Sequence, residues 1–278
     1  LGSKFTINEF DGLAVQPNAR IMLHPGRRQA LWGAASRALR NPSRGEEDVA
    51  VTGSFFEQIP GLPVGVTVLN EIRGSRKMES ETLNAFELGY RFRPDDRTLL
   101  ESAAFYNQYD KIITAINLGD PEQQTSPAPH LLLPAQLGND EGLDTYGLEL
   151  TASRRMSDRW RLTGSYSLIR DRNQRAGLSD QIPIDPEHQI TLRSELSFRD
   201  RWQLDGHLRY AAEIEALGVA DYIGLDLRLA HRVTDHLIVA LVGQNLLEAD
   251  HEEFSNIFFN SAQTLVERGA YLVLSWKQ

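Results

Sequence analysis

The chain has 278 residues, a formal net charge of −9 and no cysteine. The missing thiols exclude disulfides, thiolate zinc sites and cysteine nucleophiles, and the acidic balance argues against a nucleic-acid partner. The longest apolar run, residues 237–243, is too short for a membrane-spanning helix. A membrane-spanning strand remains possible, since it needs only about 9–11 residues and half of them can be polar.

Alternation of apolar and polar residues at period two predicts about twelve strands. In chain order they lie near residues 1–9, 16–24, 29–40, 82–93, 98–113, 143–155, 160–171, 188–199, 202–212, 222–233, 237–246 and 269–276. Short polar turns near residues 25–28, 94–97, 156–159, 199–201 and 233–236 alternate with long connections, such as 41–81 and 115–142. Residues 64–72 also read as a strand, which we interpret as an extension inside a long loop. The alternation of apolar and polar residues is poor in 98–113, so the pattern does not fix the register of that strand.

The layout of short turns on one side and long loops on the other is typical of an outer-membrane barrel. The alternative is a soluble β-sandwich whose polar face is exposed to solvent. Aromatic residues beside the short turns favour the barrel, because such rings form interfacial girdles; they are Phe92, Trp160, Phe198, Trp202 and Trp276. We therefore predict an all-β fold: an antiparallel transmembrane β-barrel portion of about twelve strands, with short periplasmic turns and long extracellular loops.

Several segments resemble the TonB-dependent outer-membrane receptors. They are PNARI at 17–21, LWGAASRALRNPSR at 31–44, ELGYR at 87–91, FYNQYD at 105–110 and YGLEL at 146–150. The most specific stretch is 222–254, where LDLRL at 225–229 precedes GQNLL at 243–247 and HEEF at 251–254. The order and spacing of these segments across residues 1–278 make the chain similar to the C-terminal portion of that family's barrel.

The resemblance implies an outer-membrane receptor in a Gram-negative bacterium. Full members close about 22 strands around a plug. The family imports a scarce nutrient, such as a ferric siderophore or a similar metal chelate, with energy delivered by TonB through the plug. The implied partners are the lipid bilayer, the chelate and TonB. The sequence has neither an initiator methionine nor a signal-peptide pattern, and Lys277 and Gln278 follow the terminal aromatic Trp276. We therefore expect the plug and the first strands to belong to a longer protein.

Basic residues near the predicted extracellular side are candidates for binding an anionic chelate, since guanidinium groups bind carboxylate-type oxygens in pairs. They are Arg40, Arg44, Arg73, Arg76, Lys77, Arg170 and Arg209. The alternative for each is a solvated loop charge. Four loop aromatics could stack on a ligand or pack the loops together; these are Phe55, Phe56, Phe258 and Phe259.

Two clusters suggest chemistry but have simpler interpretations. The segment 250–253 combines His251 with three carboxylates and could bind a metal, although an acidic extracellular loop is the favoured interpretation. Asp205, His207, Asp226 and Arg228 could form a general-base pair, but a ladder of charge pairs on the lumen wall is favoured. No nucleophile elbow, phosphate loop or metal spacing is present, so we expect neither an enzyme nor a cofactor.

Two other functions remain open from the sequence. One is a passive outer-membrane pore or adhesin-like barrel without energy coupling. The other is a soluble β-rich binding module, which would leave the apolar strand faces exposed as an aggregation hazard.

Overall fold

The computed structural model describes residues 1–10, 12–56, 67–126, 128–173, 185–255 and 264–277. Twelve strands form one antiparallel path in which each strand pairs with the next. They are β1 (Gly2–Asn8), β2 (Gly12–Gly26), β3 (Gln29–Arg40), β6 (Glu81–Phe92), β7 (Thr98–Leu118), β9 (His130–Ser157), β10 (Trp160–Asn173), β11 (His188–Phe198), β12 (Trp202–Ala211), β13 (Tyr222–Arg232), β14 (Leu237–Gln244) and β17 (Gly269–Trp276). The path begins at β1 and ends at β17.

Further short elements lie in the long connections. They are helix α1 (Arg44–Asp48), β4 (Ala50–Phe56), β5 (Val68–Arg73), β8 (Glu122–Gln124), a 3-10 turn at Glu215–Leu217, β15 (Asp250–His251) and β16 (Val266–Glu267). None of the helices within the described ranges has the length and apolar character needed to span a membrane. The predicted twelve-strand antiparallel fold is confirmed, and β3 and β17 have the predicted bounds.

The tight turns follow the sequence signals. Between β11 and β12, Arg199 and Asp200 have φ of 46° and 58°, the backbone that tight hairpins with matching strand twist require. The rings of Phe198 and Trp202 then stack across the turn with centroids 6.3 Å apart. The predicted aromatic residues therefore do lie at the short-turn end of the sheet.

The two faces of the sheet differ in chemistry. One face carries the exposed apolar side chains, including Phe86, Leu88, Leu208 and Leu272. The opposite face carries cross-strand ion pairs: Arg228 Nη1 lies 2.9 Å from Asp205 Oδ2, and the register places these two residues directly opposite each other. The predicted charge ladder therefore exists, and it lies on the face turned away from the apolar band.

The long connections 41–81 and 115–142 contain more paired strand than the sequence pattern predicted. Strands β7 and β9 continue pairing above the rest of the sheet, and β8 adds to β9. Strand β5 pairs antiparallel with β4 and parallel with β9, so the predicted strand inside this loop is confirmed over Val68–Arg73. The poor alternation after Asp110 has a physical cause, since Lys111 has φ of 59° and the β7–β9 register shifts between Asp110 and Ile112.

Candidate functional site

Five of the seven predicted ligand-binding residues lie together around helix α1. Arg40, at the end of β3, places its guanidinium against two carboxylates: Nε is 2.5 Å from Glu81 Oε2, and Nη1 is 2.9 Å from Glu46 Oε1. Ser43 caps the helix, because its hydroxyl accepts the Glu46 amide while the Glu46 carboxylate accepts the Ser43 amide at 2.7 Å. The Glu46 carboxylate thus completes the cap and also joins the helix to Arg40 at the end of β3.

Two further arginines of this group also have acidic partners. Arg73 donates to Glu122 at 3.1 Å and lies 2.5 Å from Glu71, which ties β5 to β8. Arg76 contacts Asp48 at 2.7 Å, which ties the segment after β5 to the end of α1. These residues therefore hold the elements of the long connections together, and an external anion would have to compete with resident carboxylates for them.

The electrostatics of this region favour charged carboxylates. Partial burial raises the pKa of Glu46, but hydrogen bonds from Ser43 and Arg40 outweigh burial and hold that pKa below its ordinary value. Hydrogen bonds from Arg73 likewise lower the pKa of Glu122. Glu46 and Glu122 therefore stay ionised well below neutral pH.

Arg44 and Lys77 differ from their neighbours. Both are exposed, and neither has an acidic partner among the residues that the structure describes. Arg44 is the first residue of α1, and the Glu46 carbonyl accepts the amide of Ser75, two residues before Lys77. These two cations are the members of the predicted set best able to meet an external anion.

The remaining two predicted residues lie elsewhere. Arg170 is directly opposite Tyr146 in the register, on the apolar face of the sheet, and contacts Glu187 at 2.5 Å. Arg209 lies on the charged face, 3.2 Å from Asp226 and 3.4 Å from Asn245. The structure therefore does not bring all seven into one site. Phe258 and Phe259, and the side chains of Phe55 and Phe56, lie outside the part of the chain that the structure describes.

The acidic segment near His251 forms a packed polar cluster. The imidazole stacks on Tyr222 with ring centroids 4.2 Å apart, and its Nε2 is 3.0 Å from Glu253 Oε1. Glu248 lies 3.8 Å from Nδ1. Within the described ranges no group of three His, Asp, Glu or Cys residues is arranged to hold a metal ion.

Sequence reasoning missed a cavity of about 790 Å³ on the charged face, toward the long-loop end. Its lining combines three aromatic rings with five carboxylates. The rings are those of Trp32, Phe105 and Tyr109, and the carboxylates are those of Glu81, Glu87, Glu149, Asp171 and Asp185. These residues come from β3, β6, β7, β9, β10 and the segment before β11, so no local sequence pattern could have grouped them. The sequence pattern could only assign each of these residues to one face of its own strand, through its period-two position.

Comparison with known proteins identifies the fold. Residues 2–246 match the family model described as TonB dependent receptor-like, beta-barrel. The chain belongs to the TonB-dependent receptor family. This is a family of outer-membrane barrels, so the charged face described above is the lumen face and the apolar face is the lipid face. A search of curated proteins finds no match.

Solved receptor structures share this architecture. A ferric enterobactin receptor variant from Pseudomonas aeruginosa, in complex with enterobactin, has a TM-score of 0.73 at 14% identity, over 99% of this chain and 42% of its own. The siderophore receptor PirA from Acinetobacter baumannii gives 0.73 at 15% identity, over 98% of this chain and 42% of its own. The ferric-catecholate import receptor Fiu from E. coli gives 0.65 at 16% identity, over 95% and 35%. The chain therefore spans less than half the length of these receptors.

Proposed function

We propose that this chain is the C-terminal barrel portion of an outer-membrane receptor that imports a ferric siderophore or a similar metal chelate, coupled to energy through TonB. The observation that carries the proposal is the family match over residues 2–246, supported by the common fold with three siderophore receptors. In this proposal the barrel makes and breaks no bond. Its strands anchor the receptor in lipid, and its extracellular elements meet the ligand.

The extracellular cations give the proposal a chemical basis. Catecholate and carboxylate chelates of ferric iron are anionic, and arginine and lysine are the side chains that attract them. Arg44 extends from α1, which is capped by Ser43 and joined to β3 through Arg40 and Glu46. Lys77 follows a segment that is joined to α1, because the Ser75 amide donates to the Glu46 carbonyl and Arg76 pairs with Asp48. A preorganised support of this kind lowers the entropy lost on binding.

The test is uptake of radiolabelled ferric enterobactin by cells that carry the natural receptor gene or its deletion, each with and without functional TonB. We expect uptake that requires both the receptor and TonB. Uptake that needs the receptor but continues without TonB would favour the passive pore instead. If neither form of uptake is seen for any ferric chelate tried, the proposed transport function is wrong.

A charge-matched pair of variants tests the role of the two cations. Arg44→Ala with Lys77→Ala should weaken ligand binding about thirtyfold, since each substitution removes a charge interaction of about 1 kcal/mol and the two together remove about 2 kcal/mol. Arg27→Ala with Arg232→Ala removes the same charge at the periplasmic end and should leave binding unchanged. Equal effects of the two pairs would show that only net charge matters.

A further inference from the structure

A groove of about 680 Å³ lies on the apolar face of the sheet, which is the face turned away from the lumen. It extends from β6 to β12, and three strands of the twelve-strand path lie on each side of it. The first and last strands of the path therefore take no part in its walls. Because the apolar face of a membrane barrel meets lipid, the groove opens into the bilayer.

Two small residues form the floor of the groove. Ala152 and Gly164 are directly opposite in the β9–β10 register, and the next positions in the same row are Leu100 on β7 and Leu192 on β11. A Cβ at Gly164 would meet no atom closer than the Thr191 carbonyl oxygen, at 3.8 Å, so no neighbouring side chain fills the space above this glycine. The row therefore makes an open apolar depression between two leucine side chains.

A charged residue lies on the same face, beyond the periplasmic end of the groove. Arg154 is two positions along β9 from Ala152 and directly opposite Leu162, so its side chain is on the lipid face. It is eight residues from Tyr146, which lies opposite Tyr106 in an aromatic row near the extracellular edge. At about 3.3 Å per residue and a strand tilt of about 40°, Arg154 is roughly 20 Å below that row, near the lower boundary of an apolar band about 25 Å tall. A cation at that depth is level with the headgroups of the periplasmic leaflet.

Arg154 belongs to a short polar chain that holds one cation and one anion. Its Nη1 donates to the Thr98 hydroxyl at 3.2 Å, and that hydroxyl donates to Asp95 Oδ2, also at 3.2 Å. The direct distance from Nη1 to Asp95 Oδ2 is 3.9 Å, which is long for an ion pair. The two charged side chains are 58% and 48% exposed, so each can still meet an outside partner of opposite charge.

We propose that the groove and Arg154 bind one phospholipid of the periplasmic leaflet, an aminophospholipid whose headgroup carries a phosphate and a primary ammonium. An acyl chain lies in the groove, the phosphate accepts hydrogen bonds from Arg154, and the ammonium donates to Asp95.

The chemistry of the two charged groups selects this lipid. Arginine suits phosphate because its planar fork donates to two oxygens at once. A zwitterionic headgroup matches a cation beside an anion, whereas a purely anionic headgroup would bring like charge against Asp95. The volume of about 680 Å³ falls in the usual range for small-molecule sites. The proposal depends on the membrane-barrel fold and not on the transport function.

The experiment measures lipid binding to the natural full-length receptor, purified in detergent and delipidated, by native mass spectrometry. The probes are phosphatidylethanolamine, phosphatidylcholine and phosphatidylglycerol with identical acyl chains. The first molecule of phosphatidylethanolamine should bind about tenfold more tightly than the first molecule of either other lipid, as expected for one additional charge-assisted interaction. Equal binding of the three lipids is the behaviour of a nonspecific annulus and would overturn the proposal.

Headgroup variants assign the binding to the two charged residues. Arg154→Gln should weaken phosphatidylethanolamine binding about tenfold. Asp95→Asn, which keeps an oxygen for the Arg97 amide, should remove the preference over phosphatidylcholine. The matched control is Arg161→Gln, because Arg161 is on the lumen face, is 54% exposed and also forms a 3.9 Å ion pair, with Glu195. Unchanged binding in Arg154→Gln, or an equal loss in Arg161→Gln, would refute the site.

A filled groove tests the acyl-chain contact. Ala152→Phe keeps the lipid face apolar but fills the floor, and it should weaken phosphatidylethanolamine binding about fivefold through lost apolar contact. Ala35→Phe makes the same change on the lipid face of β3, opposite Phe86 and outside the groove, and should change nothing. No effect of Ala152→Phe would refute the groove. A receptor dimer that Ala152→Phe abolishes would assign the groove to a second copy and would also overturn the proposal. The assay contains neither iron nor TonB, so its outcome is independent of the uptake test.

Discussion

A positive charge at mid-height on the lipid face gives a direct test of how the strands face. Leu150 is 40% exposed and lies directly opposite Tyr166 and Ser102, on the apolar face. It is four residues from Tyr146, whose ring lies in an aromatic row near the extracellular edge. At about 3.3 Å per residue and a strand tilt of about 40°, Leu150 is roughly 10 Å below that row, near the middle of an apolar band about 25 Å tall.

Leu150→Arg should therefore destabilise the membrane-inserted fold by about 2–4 kcal/mol, the cost of a cation at the bilayer midplane. That range corresponds to roughly a 30-fold to 1,000-fold change in the folding equilibrium. The matched control is Thr151→Arg, one residue away. Thr151 faces the lumen directly opposite Glu101, and a substitution there should stay within about 0.5 kcal/mol.

The assay is denaturant titration of the receptor in lipid vesicles, followed by tryptophan emission. A large shift of the midpoint for Leu150→Arg and a small one for Thr151→Arg is the expected result. Equal midpoints for the two variants, or a larger loss for Thr151→Arg, would refute the assignment of the two faces.

Two further substitutions test backbone packing by the same titration. Gly147→Ala would place a Cβ 2.3 Å from the Leu168 carbonyl oxygen, so we expect a loss of about 1–3 kcal/mol; a stability equal to the parent's would contradict the close approach. Asn245 is 3% exposed at φ of 51° and joins several segments through hydrogen bonds. Asn245→Ala should cost about 1–3 kcal/mol, and Asn245→Gly should cost less because glycine adopts that φ freely. A larger loss of stability for Asn245→Gly than for Asn245→Ala would show that the backbone conformation at this position is unimportant.

The spanning strands could be predicted because each one is a local pattern. The alternation in residues 29–40 and 269–276 gives β3 and β17 with their observed bounds, since one face meets lipid and the other the lumen. The extension of β7 and β9 could not be predicted in this way. Lys111 interrupts the period, and β5 joins β9 by parallel pairing across more than fifty residues of sequence.

The candidate site was less predictable, because ion pairing joins residues far apart in the sequence. Arg40 and Glu81 meet across the 41–81 connection, and nothing local indicates that this arginine already has partners. Arg170 is different. Its period-two position continues the apolar series that ends at Leu168, so the sequence already indicated the lipid face for it. The lumen cavity required the register itself, since Trp32 and Gly89 are 57 positions apart.

Acid should release the extracellular elements before the spanning strands. The pKa values of Glu46 and Glu122 are both lowered in the folded chain. A carboxylate with a lowered folded pKa contributes stability above its unfolded pKa, near 4.3, and that contribution is lost as pH falls through the folded value. Between pH 7 and about pH 5 we therefore expect no change, and below about pH 4 the contacts from Arg40 and Arg73 should weaken.

The absence of native cysteine allows a single label to report this change. Gly45→Cys places a spin label on exposed α1, where a Cβ meets only the Ser43 hydroxyl oxygen at 3.6 Å. Its electron paramagnetic resonance spectrum should show rising mobility below about pH 4. Adding Glu46→Gln, a neutral isostere, should give a mobile label already at pH 7 and a weaker pH response. A transition near pH 6–7, or one on the alkaline side, would mean that a group other than these carboxylates holds the helix in place, because histidine and lysine titrate in those ranges.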